Sequence, residues 1–170
     1  MSDARQPASS LKAQLLPVMV VAFLVIVDQF TKQVIESLYH IGSNVEVIPG
    51  FFNLVHIKNR GAAFGLFGSL ESVWVNRSFT IVALIAISAI AIMYRALPDE
   101  DKLSRISLVL ICAGAIGNLI DRIRTGSVTD FLLFYINSYH WPAFNVADSC
   151  ITIGVGLLAV ALFVKPAEKG

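Results

Sequence analysis

Eighteen positions separate Asp130 from Asp148 in "VTDFLLFYINSYHWPAFNVADS", and the residues around them are mostly apolar or aromatic. An ionised carboxylate in hydrocarbon costs at least a few kcal/mol, so acids at membrane depth are rare and usually functional. Two such acids brought together away from bulk water cannot both ionise cheaply, and one proton is shared between them. That state suits amide hydrolysis without a covalent intermediate. The ionised carboxylate takes a proton from water while the protonated one donates to the scissile carbonyl.

Further polar residues stand where they can assist. In "GAIGNLIDR", Asn118, Asp121 and Arg122 fall at i, i+3 and i+4 and share a helix face. Gly114 and Gly117 thin that helix for a neighbour or a peptide. A purely structural role fits as well: helix packing, with Arg122 or Arg124 offsetting an acid that the dipole disfavours near a helix C-terminus. In "PAFNVADSC", Asn145 and Asp148 have the spacing of an N-cap and its third helical residue, so a simple capping arrangement competes with a catalytic one. Asp130, after a Gly-containing turn and before "FLLFYI", is expected to point into protein; a surface loop acid is the alternative. Asn118, Arg122 and Asn145 are candidate donors to a peptide oxygen. "NRGAAFG", residues 59–65, is small and permissive around Gly61 and fits either close ligand approach or an ordinary turn.

Other chemistries lack their parts. His40, His56 and His140 have no metal-ligand spacing and HExxH is missing. A Ser–Lys dyad has only Lys32 as its base, with no serine motif beside it. Cys112 and Cys150 sit in apolar runs and read as packing residues.

These side chains need a scaffold, and composition says which. The chain is 56% hydrophobic with mean hydropathy +0.72, a membrane composition. A net charge of +1 and the lack of a basic run argue against nucleic acid as a partner and for lipids or lipid-embedded substrates. Four apolar runs, Leu11 to Phe30, Ser78 to Tyr94, Leu103 to Ile120 and Val146 to Val164, are each about 26–30 Å long as helices, which predicts four transmembrane helices. The polar start with Arg5 and Lys12 resembles a secretory signal, but Asp28 and Gln29 stand where a cleavage site would be, so a retained anchor is expected. Between helices one and two, "VEVIPGFFNLVHIKNRGAAFGLFG" predicts a small β platform on the membrane surface. Tyr135, Tyr139 and Trp141 suit the headgroup zone. The whole of 1–170 is taken as one membrane-embedded domain.

Four crossings put both termini on one side. Lys and Arg number seven there and six opposite, and the dense short loop "RALPDEDKLSR" tips the assignment to cytoplasmic termini. Asp28, Lys32, Asn59, Asn118, Asp121, Arg122, Asp130, Asn145 and Asp148 then gather at the other face.

Five blocks, "DQFTK", "NRGAAF", "GNLIDR", "GSVTDF" and "FNVADS", in this order and between these helices, resemble the lipoprotein signal peptidases, or signal peptidase II, of bacterial membranes. The resemblance implies an aspartyl dyad of Asp130 and Asp148 facing the periplasm, in the inner membrane. It implies supporting roles for Asp28, Lys32, Asn59, Gly61, Asn118, Asp121, Arg122 and Asn145. It also implies cleavage of the signal peptide from diacylglyceryl-modified prolipoproteins just before the lipid-bearing cysteine, with no metal or cofactor and a monomeric enzyme. Two rivals come from other classes. A proton-coupled transporter also uses intramembrane acids, but here no polar ladder crosses the bilayer centre. A non-catalytic lipid or lipoprotein binder would use the same acids for headgroup contacts.

Overall fold

The computed structural model describes residues 11–61 and 72–164. Its elements are α1 (Leu11–Leu38), β1 (Asn44–Ile48), β2 (Phe52–Asn59), α2 (Ser72–Ala96), α3 (Lys102–Thr125), β3 (Val128–Ile136), β4 (Tyr139–His140) and α4 (Val146–Val164). All four described helices are long and apolar enough to cross a membrane. The apolar stretch of α2 buries almost none of its residues inside the protein, Ile90 being the exception, so its apolar surface needs lipid rather than water.

The expected helices form, with one difference that matters. α1 does not stop at Phe30 but runs to Leu38, about 42 Å at ~1.5 Å per residue, longer than a ~30 Å hydrocarbon core. Asp28, Lys32 and Glu36 therefore recur at i, i+4 and i+8 on one helical face. The apolar run alone ended too early because the inward-facing polar residues of that last stretch, Lys32 and Glu36, are satisfied by protein.

The platform is also larger than one connection. β1 and β2 form the expected hairpin, turned at Gly50, whose φ is 74°. Alongside β2 lies β3, from the connection between α3 and α4, giving one antiparallel sheet in the order β1-β2-β3-β4. Both long connections thus make a single lid-like layer over one end of the bundle. Tyr139 and Trp141 stay exposed on it, as headgroup-zone aromatics would.

α3 is the hub: α1, α2 and α4 all pack on it. Small residues make this possible. A Cβ on Gly114 would collide with the Ala147 carbonyl of α4, and one on Gly117 would lie 2.6 Å from Asp28 Oδ2 of α1. Asp101 caps the start of α3 by accepting from the Ser104 backbone N–H at 3.2 Å. Gly126, in the left-handed conformation with φ 75°, ends it and donates its N–H to the Arg122 carbonyl. That reversal launches β3 and delivers Asp130 four residues later.

Candidate active site

Asp130 is placed by a strand and Asp148 by a helix start. Asp130 lies in β3 opposite Ile57 of β2 and is 2% exposed. Asp148 is the third residue of α4, and its local geometry is a reciprocal cap. The Asp148 backbone N–H donates to Asn145 Oδ1 at 2.9 Å, and the Asn145 backbone N–H donates to Asp148 Oδ2 at 3.3 Å. The capping reading of Asn145 and Asp148 is therefore right, yet it does not exclude the other. The same Asn145 turns its side-chain amide to Asp130 Oδ1 at 2.8 Å, so one fully buried residue bonds both carboxylates.

Each acid has a second amide donor. Asn59, diagonal to Asp130 across the β2–β3 ladder, donates Nδ2 to Asp130 Oδ2 at 2.9 Å. Asn118 of α3 donates Nδ2 to Asp148 Oδ1 at 2.7 Å. Gly61 donates its backbone N–H to Asn59 Oδ1 at 2.8 Å and so sets that amide's orientation. Its φ of 87° and the Phe79 ring beside it leave no room for a side chain. The rest of the "NRGAAFG" stretch, residues 62–65, lies outside the described residues.

Burial pushes the Asp130 carboxyl up to about 6, with the neighbouring Asp148 carboxylate acting in the same direction. The hydrogen bonds from Asn59 and Asn145 and the charge of Lys32 oppose that rise. The arrangement suits a shared proton: an acid held near neutrality beside a second carboxylate, with both surrounded by N–H donors.

Behind the pair lies a buried charged core. Lys32 Nζ is 2.8 Å from Asp28 Oδ2 and 3.0 Å from Asp121 Oδ2, and it donates to Asn118 Oδ1 at 3.1 Å. All four residues are buried. Asp28 Oδ1 also accepts the Ala147 backbone N–H at 2.9 Å, capping α4 from another helix. Asp121 Oδ2 accepts the Thr129 backbone N–H at 3.1 Å, tying down the strand residue before Asp130. The offset expected for Asp121 from Arg122 or Arg124 is thus supplied by Lys32 instead. Arg122 is half-buried, with its guanidinium 5.4 Å from the Phe79 ring centroid, donating to the Asn118 carbonyl at 3.3 Å and within electrostatic reach of Asp148, Asp121 and Asp130.

Two contributors escaped sequence reasoning. Gln29 Nε2 bridges Asp28, the Gly117 carbonyl and Asp121 at 3.2, 3.1 and 2.9 Å. Thr129 donates Oγ1 to Glu36 at 2.6 Å, and its carbonyl accepts from Asn145. The i, i+4, i+8 spacing of Asp28, Lys32 and Glu36 was the signal that could have found this face.

The family model described as signal peptidase (SPase) II matches residues 20–164. A lipoprotein signal peptidase of Geobacter metallireducens is 44% identical over 141 residues, covering 83% of this chain and 86% of the relative. One of Syntrophus aciditrophicus is 44% identical over 160 residues, covering 94% and 99%. Two solved bacterial membrane enzymes, determined in meso at 2.3 and 1.9 Å, superpose with TM-score 0.75 at 37% identity. The first covers 91% of both chains, the second 88% of this one and 94% of its own. With a family match over most of its length and relatives this similar, the chain belongs to the signal peptidase II family.

Proposed function

We propose that this multi-pass membrane protein is an aspartic endopeptidase that removes the signal peptide from diacylglyceryl-modified prolipoproteins, cutting just before the lipid-bearing cysteine. Asp130 and Asp148 are the catalytic pair. The observation that carries this reading is the single buried residue, Asn145, bonded to both carboxylates.

The ionised acid takes a proton from a water molecule as its oxygen bonds to the scissile carbonyl carbon. The protonated acid gives its proton to the carbonyl oxygen, and a neutral tetrahedral diol results. Collapse of that diol returns a proton to the leaving amine, breaks the C–N bond and restores one shared proton. Asn59, Asn118 and Asn145 hold the acids in register by donating to them, and Asp28, Lys32 and Asp121 brace those amides from behind. Arg122, over Phe79 at the edge of the site, is available to the substrate backbone.

The protein is read as a monomer in the bacterial inner membrane, with cytoplasmic termini and the acid pair at the periplasmic face beneath the sheet. The substrate's acyl chains keep the cut site at headgroup depth, where both acids sit. Cleavage of a lipidated prolipoprotein by wild type, Asp130→Asn and Asp148→Asn tests the assignment. Both variants are expected to lose turnover while still capturing substrate. Normal turnover by either refutes the pair, and loss of capture by both favours a binding protein over a peptidase.

A further inference from the structure

At the end of the bundle away from the two acids, α1 and α2 stand apart on either side of α3. A cavity of about 1030 Å³ opens between them. Its inner end is apolar, built from Val18 and Val21 of α1, Ile90 of α2 and Val109 and Cys112 of α3, and its mouth is polar, carrying Tyr94, Arg95, Asp99, Glu100 and Arg105. From the start of α3 at Lys102 to Cys112 is about 15 Å of helix, half of a ~30 Å hydrocarbon core, so the cavity is one leaflet deep. Cys112 and Asn118 lie six residues apart, about 120° around α3, so this cavity faces away from the acid pair. The apolar inner end, at the depth of the acyl chains, is filled by hydrocarbon, because neither water nor vacuum gives its walls partners.

The mouth says what carries that hydrocarbon. Arg105 is fixed there, with its guanidinium 4.4 Å from the Tyr94 ring centroid and donating to Tyr94 OH, the Leu97 carbonyl and Asp99 Oδ1 at 3.1, 3.1 and 2.8 Å. A guanidinium has five N–H donors, so this leaves it capacity for another acceptor. Arg95 and Glu100, both exposed on the rim, have no side-chain partner among the described residues. An anionic headgroup would answer Arg95 but stand against Asp99 and Glu100. A quaternary ammonium has no N–H to give Glu100. A phosphodiester bearing a primary ammonium complements both signs.

We propose that this cavity binds one phosphatidylethanolamine-type lipid from the leaflet opposite the acid pair. An acyl chain lies along α3 toward Cys112, the phosphate sits on Arg95 and Arg105, and the ammonium sits on Glu100. The lipid wedges α2 against a bundle whose main described contact with it is α3.

The test is native mass spectrometry of the purified full chain offered equal dioleoyl phosphatidylethanolamine, phosphatidylglycerol and phosphatidylcholine. Wild type is expected to retain one phosphatidylethanolamine about fivefold over either competitor, the scale of the one exposed N–H···carboxylate contact that only it makes. The surface double variant Arg95→Gln/Glu100→Gln should keep its melting temperature without lipid and lose the preference. Val109→Trp, which fills the bore, should lower retention of all three lipids. Equal retention of the three by wild type, a preference for phosphatidylglycerol, or a preference that survives in the double variant would each overturn the proposal. The rim variant decides the matter even where Val109→Trp fails to fold.

Discussion

Replacing Lys32 by Met removes the one cation of a buried cluster and leaves Asp28 and Asp121 facing each other without it. The side chains of Lys32, Asp28 and Asp121 are 2%, 2% and 5% exposed, so solvent does little to screen the loss. Breaking a buried pair by removing one partner costs about 3–5 kcal/mol, a large part of a typical ~5–15 kcal/mol total. For a chain of this length that predicts a fall in Tm of roughly 10 °C in detergent. The chemistry should suffer separately. Lys32 and Asn145 both donate to Asn118 Oδ1, and this holds the Asn118 amide with its N–H₂ toward Asp148. With Lys32 gone the amide keeps only the 3.3 Å bond from Asn145 on its oxygen, and turnover measured well below the new Tm should drop about tenfold, ~1.4 kcal/mol of lost positioning. Adding Asp28→Asn to Lys32→Met should cost less than the two single losses together, because Asn keeps an acceptor for the Ala147 N–H and removes the stranded charge. A coupling of about 0.5–3 kcal/mol is expected from that double-mutant cycle. Additive losses, or a Lys32→Met cost below about 1 kcal/mol, would refute the reasoning.

The Asp130 carboxyl, at about 6 in the folded protein against 3.8 for a free side chain, makes stability pH-dependent with a definite sign. The folded chain holds the proton more tightly, so stability falls by up to about 3 kcal/mol as pH rises from ~4 to ~6, and Asp130→Asn should flatten that slope in denaturation measured across the range. Asn59 favours the ionised form of Asp130, so Asn59→Ala should move the descending limb of kcat/KM, expected near pH 6 in the free enzyme, to higher pH. Gly114→Ala should destabilise by about 1–3 kcal/mol through overpacking against Ala147, whereas Gly156→Ala, which meets open space, should be neutral or gain about 0.5–1 kcal/mol from helix propensity; thermal melts of the two variants compare them directly.

Much of the site was legible because its parts carry local signals. The cap spacing of Asn145 and Asp148 marks a helix start, the glycine before β3 marks the turn that delivers Asp130, and Gly114 and Gly117 mark a close helix contact. The partners of these residues were not legible. Asp121 finds Lys32, 89 positions away in the chain, rather than the arginines beside it. Gln29 had no signal of its own, since a glutamine before an apolar residue reads as an ordinary interface residue until α1 is known to reach Leu38.

The chain alone determined a four-helix membrane protein with two aspartates and a cluster of amides at one end, because apolar run length and acids near lipid are properties of short segments. Only the tertiary structure decided that β3 pairs with β2, that one asparagine bonds both acids, and that a single lysine holds two further carboxylates behind them. Those are long-range pairings, chosen by which buried polar groups can satisfy one another once α3 has gathered α1, α2 and α4 around it, and segment composition does not encode that choice.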